Sequence, residues 1–479
     1  MKTGAAARRS TLLLATALSL ASVPAGAGTS TVAPAIAPGG ATDRLTGPAG
    51  CLVLVESSHA LPLVRVAAVV RAGSGWDPHK KEGLASLAAA AARRGAAGAS
   101  RVQLDARLDA LGADLDVTVD PDSIRLEGHV LTRNLDAFLA ILADVLLRPT
   151  FAPDEVARTR RDLLAQIDEA SNDDTALGLR YFGRNLYGDH PYGYPPEGTR
   201  ASLARVRRDD LRAFFKRHVV GSNVILAGSG DVTASDFAAA VKRHFDSLPV
   251  GPPTGSNPLA VREPQAPSGW RIQIVDKPDR QQAQIFFGQL GVPAADPDYV
   301  PLLVAAASFG GRGMKATLMD ELRTKRSLAY GAYLTMSQRL GRGALTGWVE
   351  AATAKAVPTL KLALKLYVEL MQKGLDAPRL TFAKNALAGT LTTDMDDPDA
   401  RLDARLTAEL AGLPPTFLDE LPARVQATTL AQVNAAISRR VHAHDLAITV
   451  VATASVLRPL LLGDKVQPGA IDVVPYDTF

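Results

Sequence analysis

The chain has 479 residues, 47% hydrophobic and 21% charged, a balance that excludes a disordered chain and allows roughly two to four domains' worth of core. Its formal net charge is +4, but three of the cations, Lys2, Arg8 and Arg9, sit at the very start, and without them the charge is +1. No electropositive footprint for nucleic acid remains, and a single cysteine, Cys51, excludes an internal disulfide.

The N-terminal segment reads as a secretion signal. Its three cations precede "LLLATALSLASV", which is too short to span a bilayer, and "AGA" ending at Ala27 supplies a small-x-small cleavage pattern. Residues 1–27 are therefore expected to be a signal peptide, and the mature chain to be exported to the bacterial periplasm. The general export route is expected, although the Arg8–Arg9 pair leaves the twin-arginine route open. No later stretch reaches about 18 uninterrupted apolar residues, so no transmembrane segment is expected after signal removal.

Residues 28–49 are rich in Pro, Gly, Ala and Thr and read as a flexible lead-in; residues 250–270, "VGPPTGSNPLAVREPQAPSGW", read as a linker. They bound two domains, 50–249 and 271–479. In the first, "CLVLVES" and "LPLVRVAAVVRAG" read as strands, with Cys51 a partly buried strand residue. Helices follow at 83–95 and 101–112, then a strand pair turning at "DPD", then the helix "LDAFLAILADVLL". "PDEVARTRRDLLAQIDEA" reads as a helix capped by Asp154, and "NVILAGSGDV" as a closing buried strand.

The second domain repeats this order. Strands "RIQIVDKP" and "AQIFFGQLG" lead to helices "YVPLLVAAASFGG" and "MKATLMDELRTKRS". A hairpin turning at "LGRG", the helix "AVPTLKLALKLYVELMQKG" and the strand "LAITVVAT" follow. The repeat, about 200 residues long, is an internal duplication. Each half mixes strands and helices, which predicts an α+β fold of two homologous halves, each a mixed β-sheet packed with helices.

The ordered pieces "AAVVRAGSGWDP…EGLASL", "LDALGADLDVTVDPDSIRLEGHVL", "LADVLLRPTFAPDE", "LYGDHPYGYPPEGT" and "VILAGSGDV" resemble the insulinase/pitrilysin-type zinc peptidases. The likeness is nearer to their two-domain, processing-peptidase-like branch, and it covers nearly all of the mature chain. It implies that the chain forms half of a clam-shell chamber. Active members carry His-x-x-Glu-His on the first helix, where positions i and i+4 share a face and can hold one Zn²⁺ while the Glu serves as base. On that frame the motif falls on Ser86, Leu87, Ala88, Ala89 and Ala90. Ser86 and Ala90 stand at the histidines and Ala89 at the base. Gln166 stands at the distal ligand, and Thr159 replaces a further acid.

No one-turn pair exists among His59, His79, His129, His190, His218, His244, His442 and His444. His79 beside Glu82 and the His442-x-His444 pair do not rebuild a site. His190 reads as a structural histidine, and Asp168 and Glu169 as solvated helix carboxylates. The chain is expected to hold no metal or cofactor and not to cut peptides alone.

In the second half, "FGGRGMKATLMDELRTKRSLAYGAY" resembles the family's glycine-rich segment and its substrate-binding Arg/Tyr pair, here Arg323 and Tyr330. A guanidinium and a phenol can both donate to a peptide carbonyl or oxyanion. The bland alternatives are that Arg323 pairs with Glu321 or Asp320, that Tyr330 merely begins a strand, and that Gly310, Gly311 and Gly313 make a plain turn with positive φ. Lys325 and Arg326 read as exposed charges. The resemblance implies a non-catalytic subunit that binds peptide or unfolded protein beside a zinc-bearing homologue, the zinc lying in that partner. The other reading is a scaffold of the same fold with no role in proteolysis, as in core subunits of the respiratory bc1 complex.

Overall fold

Each half builds one six-stranded mixed sheet. The first contains β1 (Asp43–Thr46), β2 (Leu52–Ser57), β3 (Leu63–Val70), β4 (Asp116–Val119), β5 (Ile124–Leu131) and β6 (Val224–Gly230), in spatial order β1-β2-β6-β3-β5-β4. The second contains β7 (Arg271–Asp276), β8 (Gln282–Leu290), β9 (Gly331–Met336), β10 (Ala344–Ala352), β11 (Ala447–Ala452) and β12 (Ala470–Pro475), in order β9-β10-β8-β11-β7-β12. Read from the opposite edge, the first sheet has the order of the second. Only the sixth strand differs in origin: β1 pairs antiparallel with β2, whereas β12 pairs parallel with β7. The computed structural model describes residues 42–253, 263–442, 445–463 and 470–478. The expected signal peptide, most of the lead-in, residues 254–262 of the linker and His444 lie outside the described residues.

Helices α1 (Leu84–Ala92), α2 (Arg101–Leu111), α3 (Leu135–Leu147), α4 (Pro153–Ala170), α5 (Asp174–Tyr187), α6 (Arg208–His218) and α7 (Ala234–Phe245) belong to the first half. The second supplies α8 (Tyr299–Gly310), α9 (Ala356–Lys373), α10 (Ala377–Asp396), α11 (Pro398–Leu410), α12 (Phe417–Ala427), α13 (Leu430–Arg440) and α14 (Ala454–Gly463). Strands β2–β11 and helices α1–α4, α8 and α9 follow the sequence reading, which did not assign α5–α7, α10–α14 or β12; four further points differ. Asp43–Thr46 of the expected flexible lead-in forms β1, because it pairs residue for residue with Leu52–Val55. Asp154 does not cap α4; Ala152 holds that position, Pro153 is the first helical residue, and Asp154 and Glu155 lie in the first turn. Cys51 is fully buried just before β2, and burial pushes its thiol up to about 11. In the segment 314–327, residues Met319–Thr324 are π-helical, with Lys325 N–H donating to Asp320 O.

One face of each sheet packs on helices of its own half. Val64, Val66, Ala68 and Val70 of β3 join Leu87, Ala88 and Phe138 in one core; Ile285 and Phe287 of β8 join Val304, Phe309 and Tyr367 in the other. The opposite faces are covered by exchange. Helix α11 lays Leu402, Leu406 and Leu410, spaced four apart, on Leu54, Ala67, Val69, Ile225 and Ala227 of the first sheet. Helix α5, which occupies the same place in the first half's order, lays Leu177, Tyr181, Phe182 and Leu186 on Val275, Phe286, Leu290 and Val451 of the second. Gly178 permits this approach, since a Cβ there would lie 2.3 Å from the Phe286 ring.

Charge pins both exchanged helices. Arg65 of β3, almost wholly buried, donates to Glu127 at 2.6 Å, to Asp403 at 2.7 Å and to the Asp399 carbonyl at 3.0 Å. Arg401 of α11 reaches the buried Glu56 at 3.3 Å, and Arg71 donates to the Glu409 carbonyl at 2.7 Å. On the other side Lys277 bonds Asp174 in the first turn of α5 and the Ser171 carbonyl. Asn185 donates to the Ile448 carbonyl at 3.1 Å. Residues 40–479 accordingly form one compact unit, although the sequence repeats break at the linker.

Two predictions follow from this arrangement. Leu406→Ala opens a cavity under an exchanged helix and should cost about 2–5 kcal/mol. A single cooperative denaturant transition that shifts as a whole is the expected result; a separate early transition for one half would contradict it. The second concerns pH. His129, 3.7 Å from Asp399 of α11 and 3.5 Å from Asp114, has its pKa raised, chiefly by Asp399. Its stabilisation is full below the unfolded value of about 6.5 and is lost as pH rises through the folded value. His218, pushed down to about 4 by burial and then by Arg217, stabilises above about 6.5 and loses that contribution as pH falls. Thermal midpoints should thus fall on both sides of near-neutral pH, and His129→Gln should flatten only the alkaline side.

Candidate functional site

The first candidate site lies at the N-terminus of α1. Asp77, half-buried, accepts the backbone N–H of Gly83 at 2.7 Å and of Ala85 at 2.9 Å, satisfying two of the helix's free donors. Burial raises its pKa, and those amide bonds act against the rise. Gly83 has φ +92°, and a Cβ on it would lie 2.4 Å from the Glu197 carbonyl, so the loop 195–202 presses directly on the helix start. Ser202 Oγ donates to the Glu82 carbonyl at 2.7 Å. Beyond these, α1 packs on α4, α6 and the edge strand β4.

On this scaffold Ser86 is buried, and its hydroxyl donates to the Pro196 carbonyl at 2.7 Å. Ala89 is fully buried and Ala90 half-buried. Gln166 is exposed on α4, and Thr159 is buried with its hydroxyl spent on the Glu155 carbonyl at 2.6 Å. Ser86, Ala89, Ala90 and Gln166 offer no imidazole, thiolate or carboxylate, so these positions do not fit a zinc ion. Among the described residues no three His, Cys, Asp or Glu side chains gather as metal ligands. His79, largely exposed, lies 3.7 Å from Glu82. His190 is buried against Tyr187 and accepts the Tyr192 N–H at 3.2 Å, a loop-packing role. Asp168 is exposed and pairs with Arg200.

The second candidate site runs from the end of α8 to the start of β9. Its glycines divide by cause. A Cβ on Gly310 would lie 2.2 Å from the Leu334 backbone nitrogen, and one on Gly311 would lie 2.6 Å from the Ala307 carbonyl. Only Gly313, with φ +116° and open space around it, needs the positive φ of a turn. The π-helical turn Met319–Thr324 follows, a widening often found at functional positions.

Within that turn the acids are taken by other cations. Lys325 pairs with Asp320 at 2.9 Å and Glu321 at 2.6 Å, and Arg326 also pairs with Glu321. The Lys325 hydrogen bond, with Arg326 adding, lowers the Glu321 pKa. Arg323 is left exposed, and among the described residues no acid pairs with its guanidinium. Tyr330 is 57% exposed, while its N–H is tied to the Glu350 carbonyl at 2.8 Å. Two hydrogen-bond donors thus stand on a rigid helix-to-strand connection with their heads in solvent. Sequence reasoning missed what lies beside them: Tyr333, Trp348, Gln284 and Glu350 on one face of the second sheet. The alternation in "LTGWVEA" was the only signal.

Comparison with known proteins fits this geometry. The family signature described as "Insulinase (Peptidase family M16)" matches residues 52–200, and that described as "Peptidase M16 inactive domain" matches residues 205–387. The chain belongs to the insulinase family of M16 peptidases. An uncharacterised zinc protease of Mycobacterium tuberculosis is 25% identical over 394 residues, 82% of this chain and 89% of the relative. A Helicobacter pylori protein called "Non-peptidase homolog YmxG" is 22% identical over 84% of this chain and 91% of its own length. The crystal structure of a peptidase M16 inactive domain from Pseudomonas fluorescens aligns with a TM-score of 0.77 and 26% identity, covering 86% of this chain and 97% of that one. With Ser86, Ala89, Ala90 and Gln166 at the motif positions, this insulinase-family chain is an inactive homologue.

Ser86 now serves packing alone. Ser86→Ala would strip the Pro196 carbonyl of its donor and should cost about 1 kcal/mol of stability, read as a lower denaturant midpoint with unchanged slope.

Proposed function

We propose that this insulinase-family homologue is the substrate-binding partner of a zinc-bearing homologous subunit, exported to the periplasm and contributing half of an enclosing chamber. The observation that carries the reading is the exposed Arg323: among the described residues no acid pairs with it, although Asp320 and Glu321 lie within three residues, Asp320 held by Lys325 and Glu321 by Lys325 and Arg326. The exposed phenol of Tyr330 supports it. Such donors need no metal of their own. They can hold the carbonyl of a peptide or unfolded protein and share the charge that develops on its oxygen while a partner performs the cleavage. The α1 scaffold keeps its caps and packing after losing its ligands, which suits a chain retained for its surface. The apolar run before Ala27 motivates export.

Co-expression with a homologue that carries His-x-x-Glu-His should give peptidase activity that neither chain has alone, and the two should co-elute. Arg323→Ala should lower kcat/KM of the pair by about 10- to 100-fold, and Tyr330→Phe by a few-fold. Unchanged activity in both variants would sink the assigned role. Activity of the partner alone equal to that of the pair would sink the partnership.

A further inference from the structure

Helix α5 does not cover its face of the second sheet out to the edge. It packs on β11 and β8, while the neighbouring β10 and the edge strand β9 carry half-buried Trp348, Glu350 and Tyr333. Trp348 lies on the α5 face, packed against the Phe182–Phe286 cluster, and Tyr333 stands directly opposite it. The two rings stack, with centroids 5.6 Å apart and planes 6° apart. Trp348 Nε1–H donates to Gln284 Oε1 at 2.8 Å, and Gln284 Nε2 donates to Glu350 Oε1 at 3.2 Å. Gln284 is itself buried. The indole therefore fixes the amide, and the amide fixes one oxygen of the carboxylate.

Glu350 has no counter-ion: among the described residues no Lys, Arg or His pairs with it, in contrast to Glu56, Glu127, Asp174 and Glu321. Gly331 stands directly across from it and adds no side chain of its own, so the two rings lean over this position. A Cβ at Gly331 would meet the Trp348 and Tyr333 rings at 3.2 and 3.3 Å. The ledge also adjoins Tyr330, whose N–H bonds the Glu350 carbonyl. An oriented carboxylate without a cation, beside stacked aromatic faces, is the chemistry that binds a guanidinium or ammonium through an ion pair and a cation–π contact.

We propose that Glu350, Trp348 and Tyr333 form a subsite for an arginine or lysine side chain of a bound peptide. The assignment rests on the peptide-binding reading above and adds a side-chain preference to it. The occupant is a basic side chain rather than an apolar one because the bare carboxylate would be desolvated at a cost under an apolar group.

The test uses the purified chain and labelled extended peptides that differ at one position: arginine, its neutral isostere citrulline, or norleucine. Fluorescence anisotropy should show the arginine peptide binding about 5- to 10-fold more tightly than either neutral peptide, with the preference shrinking as salt rises. Glu350→Gln keeps an acceptor for Gln284 and should abolish the preference, bringing the arginine peptide to the affinity of the neutral ones. Equal binding of arginine and citrulline peptides, norleucine binding as tightly as arginine, or a preference that survives Glu350→Gln would each overturn the subsite. If no peptide binds at all, the peptide-binding reading fails. The ledge is then judged alone by titrating N-acetylargininamide against N-acetylcitrullinamide with tryptophan fluorescence as readout. A response to the arginine compound only, lost in Glu350→Gln, supports the subsite; identical responses overturn it.

Discussion

The fold depends on two sheets that are apolar on both faces and therefore cannot stand apart. In β3, Val64, Val66, Ala68 and Val70 face one core while Ala67 and Val69 face α11. A half folded alone would expose the second set to water along with Leu54, Ile225 and Ala227, and a patch of that kind on a lone sheet invites association. The exchange of α5 and α11 removes it in both halves at once. Arg65 adds direction to this apolar contact. Its guanidinium satisfies three acceptors, two of them on α11, so the helix docks at one rotation and one height rather than sliding along the leucine ridge. A buried arginine is weak evidence of net stability, because its desolvation offsets much of the attraction. Registry is the better account of what it contributes here.

Helix α1 is anchored independently of the exchanged helices. Helix α1 is held by Asp77 at its start, by the loop at Gly198 pressed against Gly83, and by alanines packed into the first core. None of these contacts involves a metal. Alanine has the highest helix propensity, and Ala89 is fully buried at a position where an acid would need a partner. Ordinary packing therefore fills this part of the helix, and the Ser86–Pro196 bond satisfies its one polar side chain.

Much of this was legible in the sequence, for identifiable reasons. Strands β2–β11, the hairpins at "DPD" and "LGRG", and helices α1–α4, α8 and α9 follow from periods of two and 3.6, and the placing of Ser86, Ala89 and Ala90 follows from the family resemblance. The exchange was not legible, because the sequence reading did not pick out α5 or α11, and nothing local in either segment says whose sheet it covers. The uninterrupted runs "VAAVV" and "VILAG" carried the hint, since strands buried on both faces lose their alternation. The π-helical turn was hidden because its sequence, MDELRT, is that of a good α-helix. Pairing of β1 was masked by the Pro- and Gly-rich composition around it.

The Arg323–Tyr330 segment shows how geometry changes the weight of a sequence match. Spacing alone leaves the arginine free to pair with Asp320 or Glu321, and that pairing would remove it from any contact with a ligand. The π-helical turn brings the Lys325 N–H back to Asp320, five residues earlier, and the Lys325 side chain reaches both acids. Arg326 then takes the remaining oxygen of Glu321. Two cations downstream thus consume the charge that would otherwise capture Arg323. The lysine and arginine that read as idle surface charges keep the third cation available.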